Sequence, residues 1–143
     1  DYLQLIDAGI KDHRQNVEFC SRSLKALAKT LDIPVMAVAQ LSRAVETRGG
    51  DRRPQLSDLR DSGQIEQDAD VVEFMFRPEY YGFEIFNDID TRNKAWRLNG
   101  KMRDGVPNLE IEMDWRPEFM RFSNPVLQPE DDEIFDYQGD QPF

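Results

Sequence analysis

The sequence predicts an α/β fold, in which a mostly parallel central sheet with flanking helices is followed by a terminal antiparallel hairpin. An amphipathic helix expected over residues 16–31 is followed by a short apolar run, Val35–Ala39, and a second such run is Val71–Phe76. A strand, helix and strand in this order favour a right-handed crossover between parallel strands. Further along, Asp104-Gly105 favours a tight turn between two segments with strand character.

The first residues, Asp1–Ile6, indicate the end of a strand and the turn after it. In the helix that follows, apolar residues recur at three- and four-residue spacing, which predicts a face that lies on the sheet. These residues are Val17, Cys20, Leu24, Leu27, Ala28 and Leu31. Cys20, the only cysteine, is expected to be buried, and His13, the only histidine, to be an exposed loop residue without a catalytic role. Pro34 ends the helix, because proline disfavours helical geometry in the residue before it.

Gln40 follows the predicted strand Val35–Ala39 directly. Ligands of parallel α/β sheets collect at the carboxyl ends of the strands, so Asp1 and Gln40 are expected at the same edge. An aspartate in that position can hold Mg²⁺, and an amide can hydrogen-bond a γ-phosphate or its attacking water and lose that contact when the phosphate leaves. The pattern indicates a nucleotide-hydrolysing domain, with a polar strand cap as the alternative interpretation of Gln40.

A loop rich in arginine and glycine extends from Ser42 to Gln64. Residues 56–60 are expected to form one helical turn, which leaves residues 60–63 as an exposed tip. Single-stranded DNA is commonly held through its phosphates by basic side chains and by backbone N–H groups that glycine allows to approach closely. The loop is therefore suited to holding a polyanion, whereas a solvated or subunit-interface position is equally compatible with Arg43, Arg52 and Arg53.

The second strand of the hairpin, expected over residues 108–114, follows a first strand over residues 94–101 that ends at Lys101. Lys101 and Arg103 are two residues apart, so both side chains point the same way in an extended chain. Two cations placed in this way suit a phosphate that reaches across from another subunit; a basic hairpin tip is the alternative. A last strand is expected over residues 118–122.

Composition fits a nucleic-acid-binding domain only when the charge is divided along the chain. The formal net charge is −10, but six of the 28 acidic residues and none of the 18 basic residues lie in the last segment, 124–143. That segment is expected to be a disordered acidic tail. Residues 41–60 are locally basic, and local charge determines where phosphates bind. The lone cysteine favours a cytoplasmic, reducing compartment, and neither a membrane-spanning run nor a zinc motif is present.

The segment QLSRAVETRGGDRRPQLSDLRDSGQIEQDAD, with RPEYYG after it, strongly resembles the C-terminal motor domain of bacterial replicative DNA helicases of the DnaB type. The resemblance covers residues 1–103 and weakens towards residue 122. It implies that residues 1–123 are the second half of a RecA-like ATPase core. DYLQLI resembles the Walker B motif of this family, which makes Asp1 the Mg²⁺ ligand, and Gln40 matches the glutamine sensor of the γ-phosphate.

Two further motifs carry over from the same family. LRDSG resembles its DNA-contacting loop, which usually has glutamate in place of Asp61, and this implies DNA contact by Arg60, Asp61 and Gly63. GKMRDG resembles its GKxRNG motif, whose lysine and arginine serve the ATP of the neighbouring protomer. The match implies that Lys101 and Arg103 are this pair, with Asp104 in place of the usual asparagine.

The resemblance implies an ATP- and Mg²⁺-dependent homo-hexamer that moves on single-stranded DNA, with primase and a helicase loader as further partners. The phosphate-binding motif G-x-x-x-x-G-K-[ST] is absent from the 143 residues. We therefore interpret the chain as a fragment that is inactive alone. A RecA-like ATPase of recombination or repair, which would form filaments, is one alternative. A non-catalytic module that binds a helicase ring or its loader is another.

Overall fold

The computed structural model describes residues 2–106 and 108–125, and an antiparallel sheet is its main feature. The strands in these ranges are β1 (Val71–Phe76), β2 (Ile85–Phe86), β3 (Ile89–Asp90), β4 (Lys94–Met102), β5 (Glu110–Arg116) and β6 (Arg121–Ser123). The main sheet has four strands in the order β1-β4-β5-β6, and every neighbouring pair is antiparallel. Strands β2 and β3 form a separate small hairpin. The predictions of a strand at Val71–Phe76 and of a hairpin around Asp104-Gly105 are confirmed.

The α-helices of the described ranges are α1 (His13–Leu31), α2 (Ala44–Thr47) and α3 (Gly63–Asp68). Helix α1 begins where the Asp12 carboxylate accepts a hydrogen bond from the Gln15 N–H at 2.8 Å, and it ends at Asp32, which is left-handed with φ 52°. Short 3₁₀ helices cover Leu3–Leu5, Leu56–Ser62, Pro78–Tyr81 and Pro117–Phe119. The predicted helical turn in the arginine-rich loop is confirmed as the second of these, whereas α2 and α3 were not predicted.

The main core lies under the β1–β4 pair. Strand β1 alternates between exposed and buried residues, and Phe76 is fully buried. Trp96 of β4 is 2% exposed and packs edge-on against Phe86 at a centroid distance of 4.9 Å. Burying an aromatic side chain of this size contributes about 1.5–3 kcal/mol. Trp96 therefore fills the core.

A β-bulge occurs at Gly100, just before the basic pair on β4. Val72 pairs with Lys101 while Glu73 pairs with Asn99, so Gly100 is the extra residue. A Cβ atom added to Gly100 would lie 2.5 Å from the ring of Phe74. The glycine thus lets β4 pass close over the core and sets the position of Lys101.

The prediction of a strand over Val35–Ala39 is wrong for the described part of the chain, in which the sheets are antiparallel. A strand needs a ladder of partners, and this segment has one backbone hydrogen bond of that kind, from the Leu3 N–H to the Val38 carbonyl at 2.8 Å. Gln4 then lies beside Gln40, so the two segments run in the same direction without forming a ladder.

Two other expectations are corrected. The apolar face of α1 does not lie on the sheet: Val17 and Cys20 pack with Leu3, and the face is exposed further along, at Leu27 and Leu31. The last strand is shorter than expected because Pro117 begins a 3₁₀ turn that ends at Met120 in a left-handed conformation, and β6 follows. The prediction for the tail concerns residues 124–143, of which 126–143 lie outside the described ranges.

Candidate nucleotide and DNA site

Gln40 lies on a cavity of about 210 Å³ that is also lined by Gln4, His13 and Asp58. The side-chain amide of Gln4 donates to the Gln40 carbonyl at 3.0 Å, and the Gln40 N–H donates to the Gln4 amide oxygen at 3.1 Å. Both hydrogen bonds are made by backbone atoms of Gln40. Gln40 itself is an exposed residue. Gln4 therefore fixes the main chain of the predicted sensor while the sensor side chain takes no part in these bonds. Asp1, the predicted Mg²⁺ ligand, lies outside the described residues.

Asp58 connects the Gln40 segment to the arginine-rich loop. Its side chain is 4% exposed, and its carboxylate accepts hydrogen bonds from the Arg48 guanidinium and from the Gln55 N–H, the latter at 2.7 Å. Its backbone carbonyl accepts a hydrogen bond from the Ser42 N–H at 3.0 Å. Because Ser42 is two residues beyond Gln40, and Asp58 belongs to the 3₁₀ helix Leu56–Ser62, one residue joins the two predicted sites.

The predicted DNA-contacting tip falls at the junction of two helices. The backbone of Arg60 and Asp61 belongs to the 3₁₀ helix Leu56–Ser62, and Gly63 begins α3. Gly63 is exposed, and its φ of −51° and ψ of −24° are ordinary helical values. Apart from its chain neighbours and its own helix backbone, no atom of the described residues lies within 4 Å of the position that its Cβ would occupy. Neither backbone geometry nor packing therefore requires glycine at this position.

Arginines elsewhere in the basic loop bind groups of the same chain. The Arg53 guanidinium pairs with Glu110 and lies over the Phe86 ring, 4.5 Å from its centroid. Arg52 donates to two backbone carbonyls, those of Arg48 and Tyr81, each at 3.2 Å. These contacts give Arg52 and Arg53 a structural role in holding the loop against the core.

Lys101 and Arg103 both contact residues 66–70, which extend from the second half of α3 to the residue before β1. The Lys101 ammonium donates to the Glu66 carbonyl at 2.6 Å. The Arg103 guanidinium donates to the Asp70 carboxylate at 2.9 Å, and the Arg103 N–H donates to the Asp70 carbonyl at the same distance. The bulge at Gly100 and the two-residue spacing thus direct both cations to one side of the hairpin.

A second cation, Lys25 of α1, also pairs with the Asp70 carboxylate. Its hydrogen bond is the main reason why the pKa of Asp70 is lowered from its ordinary value, and the charges of Arg103 and Lys101 act in the same direction. Asp70 is therefore a carboxylate at neutral pH, half-exposed and shared by two basic side chains.

Comparison with known proteins decides the family. Residues 1–124 match the family model described as the DnaB-like helicase C-terminal domain. The chain belongs to this family. The resemblance of the sequence to DnaB-type helicases is thereby confirmed.

Replicative helicases are prominent among the relatives. The chain is 45% identical over 127 residues to the replicative DNA helicase DnaB of Geobacillus stearothermophilus, a match that covers 87% of this chain and 27% of the relative. It is 61% identical over 83 residues to the DnaB helicase of Rickettsia bellii, covering 57% and 16% respectively. The chain thus spans about a quarter, or less, of the length of these two curated relatives.

Solved structures agree with this family. One solved ATPase domain superposes with a TM-score of 0.77 at 41% identity, over 88% of this chain and 43% of that one. A structure that describes a DnaB-like replicative helicase and its interactions with primase superposes with a TM-score of 0.75 at 40% identity. This match covers 88% of this chain and 29% of that one. The fold of the chain is therefore that of part of a DnaB-like ATPase domain.

Sequence reasoning missed Gln4, Asp58 and Asp70, which arrange the predicted site residues. Asp58 carried a signal: it stands three residues after Gln55 at a helix start, and the two form a capping box. Nothing in the sequence pattern distinguished Gln4 or Asp70 from other polar residues. In the ranges that the structure covers, no helix is long and apolar enough to span a membrane.

Proposed function

We propose that this chain is part of a ring-shaped, ATP-dependent replicative DNA helicase that translocates on single-stranded DNA and unwinds duplex DNA. Its family and its identity to replicative helicases support this activity for the whole protein. The complete protein would act in the cytoplasm as a homo-hexamer, with ATP bound between subunits and single-stranded DNA in the central channel.

One observation carries the proposal beyond family membership: the connection from Gln40 through Ser42 and Asp58 to the predicted DNA-contacting tip. A translocating motor has to transmit the state of its nucleotide to its DNA-binding loop. Here the exposed side chain of Gln40 is available to a γ-phosphate, while the backbone two residues later is bonded to Asp58, which is joined to the tip through a kink at Leu59. A shift of Gln40 on phosphate release would therefore be transmitted to residues 60–63.

The remaining roles follow the same arrangement. Asp1 would hold Mg²⁺, which usually binds one or two carboxylates together with phosphate oxygens. The cavity beside Gln40, which is also lined by the polar residues Gln4 and Ser42, would receive the phosphate end of ATP. Arg60, Asp61 and Gly63 would contact the DNA backbone, by main chain as much as by side chain.

Lys101 and Arg103 would complete the ATP site of the neighbouring subunit. Arg103 is half-exposed at the end of β4, so its guanidinium can reach beyond its own subunit. Its role there would be to stabilise the charge that develops on the γ-phosphate in the transition state. Lys101 would add a second positive charge on the same side of the hairpin.

We further propose that residues 1–40 contribute to a mostly parallel RecA-like sheet in the complete domain. The apolar side chains of Val35, Met36 and Val38 are 38%, 94% and 62% exposed, and Leu27 and Leu31 of α1 are exposed with them. An apolar surface of this kind is stabilised when further strands cover it. The segments at Leu3 and Val38 already run in the same direction.

Primase and a helicase loader are expected partners of the whole protein.

Replacing Arg103 tests the motor role directly. In the complete protein, Arg103→Ala should lower kcat for ATP hydrolysis by about 10³-fold or more, because an arginine finger acts on the transition state. The Kd for ATP, measured with a fluorescent analogue, should change by less than about threefold.

Arg97→Ala is the matched control, since Arg97 is also a half-exposed arginine of β4, paired with Glu73 at 3.6 Å. It should leave kcat unchanged. Equal loss of ATP binding and of hydrolysis in the Arg103 variant would argue against a finger, and normal hydrolysis would overturn the proposed role.

A further inference from the structure

The predicted finger is held by its own subunit in this structure. Arg103 is bonded twice to Asp70, through its backbone N–H and through its guanidinium. Lys101, the other cation of the motif, donates a hydrogen bond to the carbonyl of Glu66, which lies four residues before Asp70 in the chain. Both cations that would serve a neighbouring nucleotide are therefore engaged by one short segment, residues 66–70.

A guanidinium bound to a carboxylate is a poor electrostatic catalyst for another site. The carboxylate neutralises the charge that has to stabilise developing negative charge on the γ-phosphate. The contact is also replaceable, because both side chains are more than half exposed and exposed ion pairs are weak. A nucleotide phosphate offers more negative charge and several acceptor oxygens, so it competes well for the same guanidinium.

We propose that Asp70 is a positioning residue that holds Arg103 on its own subunit until the phosphates of a neighbouring nucleotide displace it. This inference rests on the proposed role of Arg103 as a finger. Asp70 makes no contact with the reacting atoms; it acts by setting how much of the time Arg103 is available to them. Lys25 of α1 pairs with the same carboxylate and therefore competes with Arg103 for it.

The location of the holding segment links it to DNA. Residues 66–70 begin inside α3, whose first residue is Gly63 of the predicted tip. DNA contact at the tip would move α3, and with it the carbonyl that binds Lys101. The holding contacts should therefore limit hydrolysis most when DNA is absent.

The test uses the complete helicase, with kcat and KM for ATP measured in the absence of DNA and with saturating oligo-dT. Asp70→Asn removes the charge and keeps the shape of the side chain. In the absence of DNA it should raise kcat/KM by about two- to fivefold, the value of one exposed ion pair, and mainly through a higher kcat, because the freed Arg103 acts on the transition state. With saturating DNA, kcat should stay within about twofold of the parent value.

Three further variants separate holding from a merely structural role. Asp70→Glu should restore the parental kinetics, because it restores the charge. Lys25→Met removes the other cation and should leave kcat/KM in the absence of DNA unraised. In an Arg103→Ala background, Asp70→Asn should leave the residual rate of hydrolysis unchanged. Asp70→Ser is the second choice if the asparagine variant does not reach the parental melting temperature.

The outcomes distinguish this inference from the proposed function. Unchanged or lower kcat/KM in a folded Asp70→Asn variant would overturn the holding role, and so would an equal rise in Lys25→Met. If Arg103→Ala abolishes hydrolysis in the same experiments, the finger still stands. If Arg103→Ala leaves kcat intact, both the finger and the holding role are overturned.

Discussion

Asp58 is the residue that connects the predicted sensor with the predicted DNA tip, through hydrogen bonds to Ser42, Arg48 and Gln55. Among the residues whose burial the structure describes, it is the only acidic one that is buried. Its carboxylate is satisfied by Arg48 and by a backbone N–H, which compensates for the cost of burying a charge. Such a residue holds one conformation well and is costly to remove.

Replacing Asp58 should destabilise the protein strongly. Asp58→Ala leaves Arg48 without its carboxylate at a site where only 28% of the arginine side chain is exposed, and it also removes the cap of the Gln55 N–H. Loss of one partner of a mostly buried ion pair costs about 3–5 kcal/mol, and partial exposure of Arg48 reduces this to about 2–4 kcal/mol. Urea unfolding followed by circular dichroism measures the change.

Asp51→Ala is the control for that measurement. Asp51 pairs with Arg53 at 2.9 Å, but its side chain is 58% exposed. Its removal should cost less than about 1 kcal/mol, as for other exposed ion pairs. Similar losses for the two variants would show that the burial of Asp58 has no energetic consequence.

At the scale of elements, the sequence predicted those whose partners are close in the chain. Strand β1 shows alternating burial, and Asp104-Gly105 joins β4 to β5, so local pattern and turn chemistry are sufficient to predict them. Val35–Ala39 has an equally apolar pattern but lacks a ladder partner in the described ranges, and a strand exists only as part of a sheet. The bulge at Gly100 depends on contact with Phe74, which no local pattern reveals.

The same limit applies to the candidate site. Sequence motifs were sufficient to predict Gln40, Lys101 and Arg103 as site residues. The residues that contact them are known only from the structure. Their contacts with Gln4 and Asp70 join residues 36 and 33 positions apart in the chain, and sequence spacing does not encode such pairs. The roles of Arg52 and Arg53 were left open by the sequence for a similar reason, because their partners are distant groups of the same chain.

The junction between the 3₁₀ helix and α3 offers a test of DNA contact that leaves the fold intact. Gly63 has helical backbone angles and open space around its missing Cβ, so Gly63→Ala should keep or raise stability by up to about 1 kcal/mol. If a DNA phosphate approaches the backbone there, the methyl group should weaken single-stranded DNA binding by about tenfold or more, the value of one charge-assisted hydrogen bond of about 1.5–3 kcal/mol. Fluorescence anisotropy with labelled oligo-dT, using the complete protein, measures this.

Gly49→Ala serves as the control because Gly49 is an exposed glycine of the same loop with equally open space around it. It should bind DNA with the parental affinity. Equal affinity of the Gly63 variant and the parent would remove Gly63 from the DNA-binding surface. Weakening for one base sequence only would indicate base readout in place of backbone contact.

At the scale of the whole molecule, the chain divides into a well-packed antiparallel half and a first third whose apolar residues are partly uncovered. Phe74, Phe76 and Trp96 form the main core, whereas Met36 and Val38 are largely exposed. The site residues follow the same division, with Gln40 in the uncovered part and the basic pair on the packed hairpin. A working ATP site would need both parts together with a phosphate-binding loop.

The last prediction concerns the chain as a catalyst by itself. Tight binding of the nucleotide triphosphate in this class of ATPase depends on the backbone and lysine of G-x-x-x-x-G-K-[ST], a motif that is absent from these 143 residues. The purified chain should therefore release no phosphate above background from ATP and Mg²⁺, with or without oligo-dT, whereas the complete protein at the same concentration should. Phosphate release proportional to the concentration of the chain, and abolished by Gln40→Ala, would contradict this expectation. Such a result would mean that the cavity beside Gln40 can hold and hydrolyse the nucleotide without that motif.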